Sequence, residues 1–171
     1  MKSNIRLTHY ALFTFSLFLL ACSLILQYAF HYQPCPLCII DRIIVIAFVI
    51  LFGVALWHRP LARGQKIYSG LGFLLAVFGI ISTARHLWLI HLPPLEVPSC
   101  SPDFNYLIET FPLKEALVII LKSSGECAEN NQPLLGLSLP GWTLLAFIFL
   151  AIGSLVLGWL ALKRNNTQPK A

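Results

Sequence analysis

Residues 35–57 read CPLCIIDRIIVIAFVILFGVALW: two cysteines in a C-x-x-C spacing, an Asp–Arg pair, then an apolar run without a charge. A run of this kind suits a helix crossing about 30 Å of hydrocarbon, which takes roughly 20 residues. The dithiol therefore falls where the span begins, with Arg42 one helical turn deeper. Three further stretches carry the same signal, giving spans at about 7–30, 37–57, 67–92 and 141–162. The chain is 57% hydrophobic and only 11% charged, with mean hydropathy +0.76. A soluble domain of this size has no use for so much apolar surface, so the bilayer is the solvent. Too little chain remains for a separate soluble domain. The expectation is an all-α membrane protein, one domain over residues 1–171, folded as a four-helix transmembrane bundle.

Charge placement orients the bundle. Lys2, Arg6, Arg59, Arg63, Lys66, Lys163, Arg164 and Lys170 all fall at one end of the spans, against twelve Lys and Arg in total. That end should be cytoplasmic, which puts both termini inside. The acidic residues Asp41, Glu96, Asp103, Glu109, Glu115, Glu126 and Glu129 lie towards the other side. The 93–140 loop, and with it Cys35, Cys38, Cys100 and Cys127, then faces outward. A competing reading takes Leu19-Leu20-Ala21-Cys22 as a lipobox. The apolar run continues through Ser23-Leu24-Ile25-Leu26, where a cleaved signal would turn polar, so Cys22 reads as a small apolar residue facing another helix.

Four outward cysteines allow three pairings. Proximity favours Cys35–Cys38 and leaves Cys100–Cys127, whose loop of about 27 residues would stabilise by roughly 3–4 kcal/mol if closed. A C-x-x-C bridge constrains little chain and is reducible, which suits redox work better than stapling. The same spacing could supply half a zinc site. No second C-x-x-C or H-x-x-H completes it, and although His86 and His91 lie nearby, no metal is expected. Ile39 stands where a haem attachment motif needs His.

Pro36 suits the first position of a helix, which sets Cys35 at the N-cap and Cys38 in the first turn. Unpaired N–H groups there favour thiolate over thiol. Arg42, four residues beyond Cys38, shares its face. Its guanidinium can stabilise a thiolate, or the oxygen of an electron acceptor as it gains charge. A plainer reading has Arg42 snorkelling to headgroups.

In this order the motifs resemble the disulfide bond formation protein B (DsbB) family. They are Cys35-Pro36-Leu37-Cys38-Ile39-Ile40-Asp41-Arg42, then Ser124-Gly125-Glu126-Cys127-Ala128-Glu129, Leu135-Gly136-Leu137 and Leu139-Pro140-Gly141-Trp142. Asp41 departs from the family's usual Glu. The resemblance covers nearly the whole chain. It implies a bacterial inner-membrane oxidoreductase that reoxidises a periplasmic thioredoxin-like (DsbA-like) dithiol oxidase and passes the electrons to membrane quinone, ubiquinone or menaquinone. Nucleic acid is not an expected partner.

Residue roles follow from the same resemblance. Cys100, in Pro98-Ser99-Cys100-Ser101-Pro102, is similar to the cysteine attacked by the partner, with Cys127 as its disulfide mate. Electrons then reach Cys35–Cys38 by thiol–disulfide exchange. Cys38 is expected to face the quinone, and Cys35, at the exposed end, to exchange with the loop pair. His86 stands at a position that would hydrogen-bond a quinone carbonyl or relay a proton, the plainer reading being an interfacial His at a helix end. Arg85 reads as a headgroup anchor, and Trp88 and His91 as interfacial. Leu113–Lys122, apolar with a Lys near each end, is too short to span and reads as a helix lying on the outer leaflet. The alternatives are a vitamin K epoxide reductase-like enzyme and a non-enzymatic membrane metal-binding or structural protein.

Overall fold

The bilayer leaves a spanning chain few options, because every backbone polar group must be satisfied internally. The structure, a computed structural model, describes residues 2–30, 35–58, 60–93, 106, 109–122, 133–134 and 136–167. Long helices take up most of them: α1 (Lys2–Ala29), α2 (Pro36–His58), α3 (Ala62–Ile90) and α5 (Leu139–Thr167), with the short α4 (Leu113–Lys122) between α3 and α5. Within the four long helices, Ile5–Ala29, Pro36–His58, Gly64–Ile90 and Leu139–Arg164 are apolar and long enough to cross a membrane. The expected four-helix membrane bundle is the fold observed.

Helix ends follow local chemistry. α2 opens at Pro36, and the Ile39 N–H donates to the Cys35 carbonyl at 3.1 Å, which makes Cys35 the N-cap residue. Pro36 lacks an N–H that this first turn could not have paired anyway. α3 begins after Leu61 and ends with a tightened turn in which the N–H groups of His91 and Leu92 donate to the carbonyls of Trp88 and Leu89. A two-residue hairpin precedes α5: β1 (Pro133–Leu134) pairs antiparallel with β2 (Leu137–Ser138). Gly136, at φ 86°, supplies the left-handed backbone that this turn requires.

The four long helices close in the cyclic order α1–α2–α3–α5. α3 and α5 make the most extensive contact, helped by Gly79, where an added Cβ would come within 2.5 Å of the Phe147 ring. Small residues at such points let backbones approach where van der Waals packing, not hydrophobicity, holds helices together in lipid. The core is built on Leu12, Phe48, Phe52, Phe147, Leu150 and Leu157, with Phe48 and Phe52 stacked at 5.8 Å. Ile43, Ile50, Leu74, Phe78, Ile152 and Leu155 point outward, which suits lipid contact. A second cluster lies at the Cys35 end. There Cys35, Leu37 and Leu89 are buried, and Phe111 and Ile119 pack over them from the α4 segment.

Candidate active site

The N-terminal turn of α2 brings the two cysteines together. Cys35 Sγ and Cys38 Sγ lie 3.0 Å apart, hydrogen-bonding distance for a thiol on a thiolate. α3 contributes the third member: His86 Nε2 is 3.8 Å from Cys35 Sγ. His86 is 2% exposed, so it is an interior residue of the bundle and not an interfacial side chain at a helix end. Trp88 is exposed and lies 5.9 Å from the Arg85 guanidinium, and His91 is exposed with Nδ1 2.7 Å from the Leu87 carbonyl oxygen.

One expectation is corrected. Cys35 is not at an exposed end; it is 3% exposed, while Cys38 is half-buried. Burial follows from the cluster with Leu37 and Leu89 under Phe111 and Ile119, a cover that C-x-x-C spacing alone does not reveal. Cys38 instead faces a cavity of about 540 Å³ that Cys35 does not line. Its walls are apolar, with Phe15 and Leu19 from α1 and Trp142 and Ala146 from α5, and its polar rim is Cys38, Asp41, Arg42 and His86. α1 and α5 meet at the far end of the cavity, where the Phe15 and Phe149 rings lie 4.7 Å apart and Leu12 fills the notch at Gly153.

Arg42 crosses from α2 to α1. Its Nε donates to Ser23 Oγ at 2.8 Å, one terminal nitrogen donates to Gln27 Oε1, and the other reaches the Ser23 carbonyl at 3.3 Å. A guanidinium with every nitrogen engaged is fixed at the cavity wall, which a headgroup anchor would not be. Asp41, also on the cavity rim, reaches α3: it is 5% exposed and accepts from Thr83 Oγ1 at 3.4 Å. Thr83 Oγ1 also reaches the Gly79 carbonyl of its own helix at 2.7 Å; the contact with Asp41 is the one that joins α3 to α2.

Of the residues singled out from sequence, the structure brings Cys35, Cys38, Arg42 and His86 together; sequence reading missed Asp41's partner Thr83 and the Arg42 clasp of Ser23 and Gln27. A signal for the clasp was present, since Ser23 and Gln27, four residues apart in the outer half of the first span, share one face. Cys100 and Cys127 lie outside the described residues. Cys22, expected to face a neighbouring helix, is half-buried and lines the cavity.

Comparison with known proteins points one way. The family model described as "Disulfide bond formation protein DsbB" matches residues 5–157. A protein of Nitrosococcus oceani named "Disulfide bond formation protein B" is 42% identical over 155 residues, covering 91% of this chain and 92% of that protein. Its namesake in Methylococcus capsulatus is 42% identical over 149 residues, 87% of this chain and 91% of its own length. That of Chromohalobacter salexigens is 45% identical over 140 residues, 81% and 80% of the respective chains.

Proposed function

The chain belongs to the disulfide bond formation protein DsbB family, and from that premise we propose that it oxidises a DsbA-like periplasmic dithiol oxidase and delivers the electrons to membrane quinone. Family membership carries thiol oxidation and sets aside the vitamin K epoxide reductase-like reading. The single observation that supports a lipid-borne acceptor is the cavity: Cys38 opens to an apolar chamber between membrane helices, and Arg42 is fixed in its wall.

The residues fit a quinone. Its ring and isoprenoid tail match the apolar walls from α1 and α5, and its carbonyl oxygens match the polar rim of Arg42 and His86. When bound there, quinone accepts two electrons and two protons. Cys38 presents its sulfur to the chamber, favoured as thiolate by the α2 N-terminus. Arg42 holds negative charge at the wall, pre-positioned by Ser23 and Gln27. His86, beside Cys35 and on the cavity rim, is placed to move a proton between the dithiol and the chamber.

Upstream, the partner's thiolate attacks Cys100 of the Cys100–Cys127 disulfide, and Cys127 leaves as thiolate. The partner's second thiolate then resolves the mixed disulfide, so the partner gains a disulfide and the loop pair becomes a dithiol. The loop dithiol in turn reduces Cys35–Cys38 by the same exchange. Both cysteine pairs face the periplasm in this scheme, the termini are cytoplasmic, the membrane is the bacterial inner membrane, and α4 lies on the outer leaflet.

The test is a quinone-reduction assay with the reduced partner and the purified protein. One quinone should be consumed per partner disulfide formed. Partner oxidation without quinone loss would overturn the acceptor. Mixed with the oxidised partner, whose disulfide the Cys100 thiolate attacks, Cys127→Ala should accumulate the mixed disulfide and Cys100→Ala should form none; equal trapping in both would overturn the assigned roles.

A further inference from the structure

One ligand atom from each of Cys35, Cys38 and His86 lies within 4.8 Å of the others. We propose that in its dithiol form this triad is a binding site for a soft or borderline d10 cation such as Zn2+, and that occupancy locks the relay in its reduced state.

The geometry is close to what such an ion needs. Tetrahedral zinc with bonds of about 2.3 Å to sulfur and about 2.0 Å to nitrogen sets ligand atoms about 3.8 Å (S to S) and about 3.5 Å (S to N) apart. Cys35 Sγ and His86 Nε2 are already 3.8 Å apart. The two sulfurs, at 3.0 Å, must separate by less than about 1 Å, a small torsional change at half-buried Cys38. The donor set is two thiolates and one neutral imidazole, the chemistry that selects zinc-like ions over magnesium or calcium. Charge balances as well: two thiols and Zn2+ give a neutral bis-thiolate unit and two released protons. Three ligands leave a fourth position for water.

Sequence spacing hides this site because its third ligand is 51 residues from Cys35, on another helix. The site exists in one redox state only. A Cys35–Cys38 disulfide has no thiolate to offer, so cation binding and oxidation exclude each other. A bound ion would hold Cys38, the sulfur that faces the cavity, and stop electron transfer through it.

The experiment uses the full chain with Cys22→Ser, Cys100→Ser and Cys127→Ser, so that only the α2 thiols remain. Zn2+ is titrated against a chromophoric chelator. The dithiol form should take up one ion per chain, the same protein oxidised to the Cys35–Cys38 disulfide none, and His86→Ala should bind at least about tenfold more weakly. Absence of stoichiometric uptake by the dithiol form, equal uptake by the oxidised form, or unchanged affinity in His86→Ala overturns the proposal. A second measurement avoids substitution: Zn2+ should slow alkylation of Cys35 and Cys38 in the reduced wild-type protein, read peptide by peptide by mass spectrometry. Undiminished labelling there also overturns it. Neither measurement contains quinone or partner, so each stands or falls apart from the proposed function.

Discussion

Arg42 shows how one side chain changes meaning once its partners are known. Four residues from Cys38, it is a helix-face neighbour of a thiol; tied to Ser23 and Gln27, it becomes a fixed positive wall of the cavity. Fixing matters because a charge that need not reorganise stabilises developing negative charge most effectively. Arg42→Met should therefore raise the apparent quinone KM by about tenfold or more, the loss of one charged hydrogen bond. Ser23→Ala with Gln27→Leu should give a smaller rise, about threefold, because the guanidinium remains but loses its orientation. An unchanged KM in Arg42→Met would return this residue to the role of a headgroup anchor. Thr83 is the matching case on the opposite side of α2. Thr83→Val removes the hydroxyl that donates to buried Asp41 and should cost about 1–3 kcal/mol in unfolding from detergent micelles. Full retention of stability would mean that Asp41 is satisfied elsewhere.

At the scale of elements, α4 decides who can reach the dithiol. Phe111 and Ile119 pack onto the cluster of Cys35, Leu37 and Leu89, so the exchange proposed at Cys35 would require that cover to lift. Ile119→Ala with Phe111→Ala should speed alkylation of Cys35 in the reduced protein, with little change at Cys38, whose access runs through the cavity. Equal rates before and after substitution would show that α4 is not the barrier. The α3–α5 contact is held more rigidly. At Gly79 even a methyl group would meet the Phe147 ring at 2.5 Å, so Gly79→Leu should destabilise by at least about 1–3 kcal/mol, the usual cost of overpacking. Phe147→Ala in the same chain should recover part of the loss. Thermal unfolding of the two variants beside the wild-type protein checks both statements. The limits of the helices were readable because apolar runs and Pro36 act locally. The cover over Cys35 was not, since nothing in Leu113–Lys122 states which helix it packs against.

The whole molecule separates two approaches to one dithiol: Cys35 under α4, Cys38 towards a chamber among α1, α2 and α5. Filling the chamber should uncouple them. Leu20→Trp, at the α1 wall, should lower quinone-dependent turnover several-fold while leaving exchange between the partner and the cysteines in place. Parallel loss of both would mean that the bundle itself had been disturbed.

From residues alone came four spans, a dithiol at a helix N-terminus, an arginine on its face, and a family likeness carried by motif order. Each depends on neighbours within a turn or two, or on hydropathy averaged along one helix. Only the tertiary structure decided that His86 is a buried companion of Cys35, that Cys35 is covered, that Arg42 clasps α1, and that a cavity opens beside Cys38. The reason is physical. In a bilayer, lipid and protein interior are equally apolar, so hydropathy does not say which helix faces which. That choice is made by close packing at residues such as Gly79 and by hydrogen bonds from Arg42 and Thr83, between positions far apart in the chain.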